Sequence, residues 1–292
     1  MKLHWGFDTR DLDTTIRPQD DFYRYAAGGW LSRNPIPKAE ARWSSFTILR
    51  YNTDKKLRAI VTELLEKRGA KQGSSEQMVR DFYRSGMDLK RRNALGAKPL
   101  AEMQKKIRAM KTQKDLEKVM AELHVLGVGV LFGAAVDQDS KKSTDYILHL
   151  YQDGLGMPER DYYLKDDKES KRVRDAYLLY LVKFFRLLGK SPKEASAARD
   201  TVMRIETALA KVSMNKEDRR DADKTYHKKT PRELSKLAPQ IDWPLYMTRT
   251  GAKSPASVIV MQPEFLRAAG MHLVSIPLDD WKTYFEFHLA ND

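Results

Sequence analysis

Apolar residues recur with the spacing of amphipathic helices in the first third of this chain. In residues 52–68 they fall at i, i+3, i+4 and i+7, and Gly69 follows as a stop signal. Residues 74–87 repeat the pattern, and Ser74 with Gln77 is typical of a capping box, in which each side chain bonds the other residue's backbone N–H. The pattern therefore predicts two successive helices here.

Two longer helices are predicted in the second half of the chain. Residues 171–188 carry an apolar stripe wide enough for a helix at the centre of a core. Ser191, a proline and then Glu194 supply an N-cap, a residue suited to the first helical position and a capping-box partner, so a second helix should run to about residue 214. Together these patterns predict a mainly helical domain over roughly residues 50–250, with end segments of different character.

One region contrasts with the helices. Residues 125–136 are rich in valine and glycine, residues 138–143 are polar, and residues 146–151 alternate apolar and polar positions. This order is typical of a β-hairpin, so we expect a hairpin inserted in the helical domain. A short strand is also predicted at residues 258–261.

The last helix is predicted to begin at Pro277, with two acids in its first turn. One face of it carries apolar and aromatic residues: Trp281, Tyr284, Phe285, His288 and Leu289. Such a face either docks on the chain's own domain or packs against a partner that this chain does not contain. The pattern alone favours docking on the same domain.

Composition restricts the functional classes. The net charge is +13, but the basic residues alternate with acids, as in residues 102–118 and 216–236. Mixed runs of this kind are typical of solvated helix faces, so nucleic-acid binding is not expected, whereas binding to an acidic protein surface stays open. No segment approaches the ~18 consecutive apolar residues of a membrane span, so no membrane insertion is expected.

The chain has no cysteine, which excludes disulfides, thiolate catalysis and cysteine-ligated metal sites. Its first fifteen residues show no apolar segment typical of a secretory signal. A cytoplasmic location is therefore expected, and a periplasmic one stays open.

No catalytic motif is found. A helical zinc-peptidase site needs two histidines four residues apart with a glutamate beside the first. None of the six histidines has this spacing: His4, His124, His149, His227, His272 and His288. Phosphate-binding glycine loops and a G-x-S-x-G nucleophile elbow are absent too. His124 and His149 flank the predicted hairpin and are interpreted as structural. We therefore expect no catalytic residue and no metal site on this chain.

Several segments resemble the neprilysin family of zinc metallopeptidases, which includes endothelin-converting enzymes and bacterial oligopeptidase O. They occur in the family's order and cover essentially the whole chain. These segments are DDFYRYAAGGW (residues 20–30) with LSRNPIP (31–37) and RWSSFTIL (42–49), GLGMPERDYYL (154–164), IETALA (205–210) with RRD (219–221) and Tyr226, and VIVMQPEFL (258–266). Gln19 and Ala27 stand where secreted animal members have cysteines, which favours a bacterial origin.

The resemblance implies a split architecture. The expected fold is mainly α: a multi-helix lid domain with an inserted β-hairpin, and flanking segments that pack on a catalytic domain. Residues 1–50 would cross to that domain, residues 51–250 would form the lid, and residues 251–292 would return toward the catalytic domain. In the family, HExxH and the third zinc ligand lie in the C-terminal half, so zinc is expected on a separate catalytic chain.

The resemblance also implies site residues. Arg42 matches an arginine that in the animal enzymes reaches the free carboxylate of a bound peptide, and a surface arginine is an equally open interpretation. Phe46, Thr47 and Arg50 are further candidates for substrate contact. The residues expected at the interface with the catalytic chain are Phe22, Tyr23, Tyr25, Trp30, Trp281 and Phe285. The glycine pair at residues 28 and 29 is expected where two backbones approach closely.

Three hypotheses follow. In the first, the chain is the non-catalytic lid of a two-chain zinc peptidase that acts on peptides as a heterodimer with an HExxH-bearing chain. In the second, it is a free-standing peptide-binding or scaffold protein derived from a peptidase. In the third, the 292 residues are a truncation of a longer enzyme.

Overall fold

The computed structural model describes residues 8–67, 69–252 and 255–292. They form two compact units, one within residues 1–94 and the other within residues 95–292, hereafter the N-terminal unit and the C-terminal unit. The start of the chain with His4, and Arg68 at the end of the first predicted helix, lie outside the described residues.

Helices make up most of the described N-terminal unit. They are α1 (Phe22–Arg33), α2 (Ser45–Glu66), α3 (Ser75–Met87) and α4 (Leu89–Leu95). The two helices predicted here are therefore present as α2, which starts earlier than expected, and α3. The predicted capping box is half formed, because Ser74 Oγ accepts from Gln77 N at 3.3 Å while Gln77 Oε1 accepts from Gly73 N at 2.9 Å.

The C-terminal unit contains the remaining helices and a small sheet. Its elements are α5 (Ala101–Ala109), α6 (Gln113–Val125), β1 (Phe132–Asp139), β2 (Lys142–Gln152), α7 (Asp161–Leu164), α8 (Lys168–Leu187), α9 (Pro192–Val212), β3 (Lys228–Lys229), α10 (Pro231–Leu237), α11 (Trp243–Thr250), β4 (Val258–Val260), α12 (Pro263–Ser275) and α13 (Leu278–Asn291). The capping box predicted for α9 is complete, with Ser191 N donating to Glu194 Oε2 at 2.9 Å and Glu194 N donating to Ser191 Oγ at 3.3 Å.

The predicted hairpin is confirmed, with two differences in its bounds. Residue 125 does not start a strand, because it is the last residue of α6. Gly127 then adopts φ +82°, the left-handed conformation that commonly ends helices. The turn is also shorter than predicted: β1 extends to Asp139 and β2 begins at Lys142, so Ser140 and Lys141 alone connect them.

The four strands have the order β1-β2-β4-β3. β2 pairs antiparallel with β1 and parallel with β4, with Leu148 opposite Val258. Leu148, Leu150 and Val258 are buried on one face of the sheet, in a core that also contains residues of α6, α11, α12 and α13. A second apolar cluster lies between α8, α9 and the end of α13. The C-terminal unit therefore has a core of its own.

The predicted segment boundaries do not coincide with the two units. Residue 50 lies inside α2, and residue 250 ends α11 within the C-terminal unit. The predicted return segment, residues 251–292, includes β4, α12 and α13, which contribute to the core of the C-terminal unit. No helix in the described part of the chain has both the length and the hydropathy that crossing a bilayer requires.

Candidate functional site

The predicted substrate residues cluster at the start of α2. Ser44 caps this helix: its hydroxyl accepts from Thr47 N at 3.3 Å and lies 3.2 Å from the Thr47 hydroxyl. Thr47 therefore helps to form the helix start. Phe46, by contrast, is 83% exposed and leaves its ring available for contact with a ligand.

Glu40 organises the surroundings of this helix start. Its Oε1 accepts from Tyr51 OH at 2.5 Å and from the Arg50 guanidinium at 3.2 Å. The bond to Glu40 raises the pKa of Tyr51, so this phenol stays a donor at neutral pH. The Tyr51 ring also meets Trp43 edge to face, with centroids 5.5 Å apart. The guanidinium of Arg50 is therefore already paired with a carboxylate of its own unit, that of Glu40.

Arg42 differs from Arg50 in having no carboxylate partner among the described residues. Its side chain is exposed, two positions before the Ser44 cap. A guanidinium binds a carboxylate bidentately, and the nearby helix start adds a positive potential. Arg42 is therefore an exposed cation near this end of α2 without an ion-pair partner among the described residues.

The N-terminal aromatic segment forms α1. A Cβ on Gly29 would lie 2.2 Å from the carbonyl oxygen of Arg10, and one on Gly28 would lie 2.6 Å from Cβ of Asp13. The expected close approach of backbones at this glycine pair is thus present, between α1 and the segment that precedes it. Phe22 and Tyr23 are 68% and 67% exposed.

The remaining residues predicted at the interface differ in burial. Tyr25 and Trp30 are half-buried in the N-terminal unit. Trp281 and Phe285, on α13, are both 0% exposed in the core of the C-terminal unit. The prediction that these two side chains face a partner is therefore corrected: α13 docks on its own unit, the alternative that its pattern favoured.

A buried polar cluster escaped the sequence analysis. Glu206 of α9 is 0% exposed, and its carboxylate accepts from Tyr163 OH at 2.7 Å and from Tyr177 OH at 3.0 Å. Burial and this carboxylate raise the pKa of both tyrosines, so both stay protonated donors. His288 Nε2 lies 3.2 Å from Glu206 Oε1 without the direction of a hydrogen bond.

Glycine is needed beside this cluster. A Cβ on Gly156 would lie 2.0 Å from the Tyr177 hydroxyl oxygen. Gly156 and Tyr163 belong to the segment GLGMPERDYYL, and Glu206 belongs to IETALA. Two of the segments that carry the family resemblance therefore meet in one buried network that joins α7, α8, α9 and α13. The signal that sequence reasoning missed was a glutamate at the second position of an apolar helical run.

The described histidines belong to no metal-binding cluster. Among the described residues, no three His, Asp or Glu side chains are placed to hold a metal ion together, so these side chains do not fit a catalytic zinc. His124 and His149 do not bond each other: His124 Nδ1 bonds Tyr246 OH at 2.7 Å and its Nε2 bonds the Val130 carbonyl at 2.8 Å. His124 is structural, as interpreted.

His124 should make stability depend on pH. Desolvation lowers its pKa from 6.5 to about 4, so between these pH values His124 is protonated in the unfolded chain and neutral in the folded chain. The free energy of unfolding is therefore not reduced by His124 above pH 6.5, and it falls as the pH is lowered toward 4. Between pH 7 and 4.5 we expect urea unfolding of the parent to lose about 2–3 kcal/mol more than that of His124→Gln. Equal pH slopes for the two proteins would contradict this.

Comparisons with known proteins found relatives that match most of this chain. A family model described as peptidase family M13 matches residues 18–292. Endothelin-converting enzyme 1 of Cavia porcellus is 36% identical over 242 residues, which are 80% of this chain and 31% of that protein. The Mus musculus enzyme is 33% identical over 272 residues, covering 88% of this chain and 34% of its own length.

Solved structures are similar as well. Zinc metalloprotease Zmp1 of Mycobacterium tuberculosis, in complex with an inhibitor, superposes with a TM-score of 0.86 at 29% identity, covering 97% of this chain and 43% of that one. PepO from Lactobacillus rhamnosis shares the fold, with a TM-score of 0.72 at 20% identity over 94% of this chain and 43% of its own. The chain thus spans less than half of each of these relatives.

Proposed function

This chain belongs to peptidase family M13, and on that premise we propose that it is the non-catalytic lid of a neprilysin-like zinc peptidase whose HExxH-bearing part is a separate polypeptide. One observation carries the proposal. The family match extends over residues 18–292, and the 242 residues aligned with endothelin-converting enzyme 1 of Cavia porcellus are 31% of that protein. In this proposal the HExxH-bearing part of the family lies outside the matched region.

In this division the HExxH motif of the catalytic polypeptide would hold a zinc ion, which would supply Lewis-acid chemistry for polarising the scissile carbonyl and activating water. The present chain encloses the substrate and orients it. The C-terminal unit provides a rigid body, because its helices share a core with the sheet. Arg42, exposed and without a carboxylate partner among the described residues, binds the peptide's terminal carboxylate, and the exposed Phe46 ring contacts an apolar substrate side chain.

The proposal is tested with this chain and any HExxH-bearing polypeptide that the next reading frame encodes, each purified separately. We expect a 1:1 complex by light scattering and hydrolysis of a quenched fluorescent peptide by the mixture alone. Replacing the glutamate of HExxH by glutamine in the catalytic polypeptide is the control and should abolish hydrolysis without abolishing the complex.

Two results would overturn the proposal. One is full peptidase activity of the catalytic polypeptide without this chain. The other is failure of the two to associate, together with peptide binding by this chain alone, which would favour the free-standing binding protein. A reading frame that continues without a stop into HExxH would assign the same lid role within a single polypeptide and overturn the separate-chain arrangement.

Arg42→Ala should weaken binding of the peptide's C-terminal carboxylate. A charge-assisted bidentate contact contributes about 1.5–3 kcal/mol, so KM for a short peptide with a free carboxylate should rise at least about tenfold in the complex. KM for the same peptide with an amidated C-terminus should stay within about twofold. Arg172→Ala, which removes an exposed arginine paired with Glu169, is the matched control. An equal rise for both peptides would exclude carboxylate recognition by Arg42.

A further inference from the structure

The sheet formed by the described residues of the C-terminal unit has two edge strands, which differ in how they are protected. β3 consists of Lys228 and Lys229 alone, and both a short strand and lysine side chains keep a sheet edge from pairing with other chains. β1 is eight residues long, and residues 135–138 of it are exposed. It contains neither lysine nor proline, and its irregularity of register lies at its end, between Gln138 and Asp139. β1 therefore presents a regular and unprotected edge.

The hydrogen bonds of the sheet define which backbone groups of β1 face outward. The Leu150 carbonyl accepts from the chain just after β4 at 2.8 Å, so the backbone groups of Leu150 point toward β4. Those of its neighbour His149 therefore point toward β1, where the register places Ala135 opposite His149. Ala135 thus bonds β2, while Ala134 and Val136 point away from β2. No described residue bonds the outward N–H and C=O groups of Ala134 and Val136, which we call the β1 edge.

A cavity of about 210 Å³ lies beside the β1 edge on the face of the sheet that carries the core. The methyl group of Ala134 is too small to fill this space. The lining is mainly apolar and includes Val125 and Val136, which are 61% and 65% exposed, and the hydrogen-bonded pair of His124 and Tyr246 also contributes to it. Alternate side chains of a strand that pairs with β1 would point to this face. The cavity therefore accommodates an apolar side chain of such a strand.

A second cavity, of about 320 Å³, lies on the opposite face of the sheet, where Ala135, Asp137 and His149 contribute to its lining. The Nε2 atom of His149 is buried there without a hydrogen-bond partner among the described residues. The exposed carboxylate of Asp137 forms no ion pair within the described part of the chain. The ammonium group of Lys141 instead lies over the Tyr226 ring, 4.6 Å from its centroid. This cavity therefore offers an unpaired negative charge, which a basic side chain complements.

The two cavities and the charge of Asp137 distinguish between possible occupants of the β1 edge. A second copy of the chain would present the small residues 133–135 and another acid, which neither fill the cavities nor neutralise the charge. An extended peptide with an apolar and a basic residue at consecutive positions complements the site, because consecutive side chains of a strand point to opposite faces. Peptides that add to a sheet edge bind through main-chain hydrogen bonds, and pockets for alternate side chains give the specificity.

We propose that the β1 edge binds peptide substrates in an extended conformation, as an added strand of the sheet. The apolar side chain of the peptide enters the cavity beside Ala134, and the basic side chain next to it lies against Asp137. The inference rests on the proposed function, which makes the bound peptide a substrate. It adds to that function the way in which the peptide backbone is held and a preference for an apolar residue followed or preceded by a basic one.

Binding is tested on the full chain alone with the peptide TVLRVT, labelled with fluorescein at its N-terminus and amidated at its C-terminus. Because this probe has no free carboxylate, Arg42 cannot bind it by its end. We expect saturable binding by fluorescence anisotropy, and hydrogen exchange at Ala134 and Val136 should slow at least about tenfold while that of α9 stays within about twofold. Two further probes carry an N-methyl group on the leucine or on the arginine. One of them should bind at least about tenfold more weakly and the other within about threefold, since only alternate amides of a strand face its neighbour.

Variants of β1 test the same site from the protein side. Val136→Pro removes an outward N–H without removing a bond to β2, and proline is tolerated at such edge positions, so the chain should stay folded while Kd for TVLRVT rises at least about tenfold. Val136→Thr keeps the backbone groups and is the matched control, with Kd within about twofold. Asp137→Asn should reduce the preference for TVLRVT over TVLQVT by at least about threefold. Urea unfolding of each variant checks the fold, and the N-methylated probes test the unaltered chain if Val136→Pro does not fold.

The outcomes separate this inference from the proposed function. If the complex with the catalytic polypeptide forms and is active but both N-methylated probes bind like TVLRVT, the inference is wrong while the lid role stands. A homodimer that Val136→Pro dissociates overturns it as well, and so does a Val136→Pro chain that loses the catalytic polypeptide but still binds the probe. If the chain alone binds the probes in the expected pattern and never associates with an HExxH-bearing polypeptide, the lid role fails whereas the peptide site at the β1 edge is supported.

Discussion

Replacing Glu206 by alanine is expected to lower the free energy of unfolding of the C-terminal unit by about 2–4 kcal/mol, since leaving a buried donor without its acceptor costs about 1–3 kcal/mol and two phenols are affected. The carboxylate is 0% exposed and accepts from Tyr163 OH at 2.7 Å and Tyr177 OH at 3.0 Å. Without it, two phenols whose raised pKa keeps them protonated lose their acceptor in the core. Urea unfolding followed by far-UV circular dichroism measures the change.

Two further variants test whether the loss of stability comes from the buried carboxylate of Glu206. Glu206→Gln keeps an acceptor for one phenol and should cost less, about 1–2 kcal/mol. Glu217→Ala removes a carboxylate whose side chain is 70% exposed and should change the free energy of unfolding by no more than about 0.5 kcal/mol. If Glu206→Ala is as stable as Glu217→Ala, the buried network does not stabilise this unit.

Trp281→Ala is expected to cost about 3–5 kcal/mol, the range for truncating a large aromatic side chain in a packed core. Trp281 is 0% exposed, with its ring centroid 5.4 Å from that of Tyr284 and 6.0 Å from that of Phe285. Its Nε1 has no acceptor among the described residues, so Trp281→Phe removes an unpaired buried donor along with the extra volume. That variant should therefore lose less than about 2 kcal/mol.

Tyr23→Ala is the control for Trp281, since Tyr23 is 67% exposed and was predicted to face the same partner. It should leave the free energy of unfolding within about 0.5 kcal/mol. The opposite pattern, a stable Trp281→Ala protein that no longer binds the catalytic polypeptide, would restore the original prediction that Trp281 faces a partner.

Local signals predicted much of the fold. The caps Ser74 and Ser191 and the helices that follow them are where the sequence placed them, because capping depends on residues only three positions apart. The hairpin was recognised from its composition, but its bounds were not. Val125 has a high strand propensity and still belongs to α6, where Leu123 and Val119 pack into the core, so tertiary packing overrode propensity.

Which surface covers an apolar face is not a local property. The periodicity of α13 located its apolar side correctly and could not say whether a partner or the same unit covers it. The Glu206 network could not be predicted from the sequence for a related reason. Its members Tyr163, Glu206 and His288 come from three separate helices, and nothing in the spacing of the sequence brings them together. The role of Arg42 stays a prediction, because it depends on a ligand rather than on the fold.

Core contacts of the C-terminal unit join residues that are far apart in the sequence, so they can form only late in synthesis. The bond from Leu131 N to Tyr284 OH joins residues 153 positions apart, and β4 reaches β2 only after all the intervening helices have emerged. At ~5–20 residues per second, a ribosome needs roughly 8–30 s to deliver the second partner of that bond after the first. The edge of β2 that pairs with β4 stays unpaired until β4 has emerged, so we expect ribosome-associated chaperones to bind the nascent chain between the emergence of β2 and that of β4.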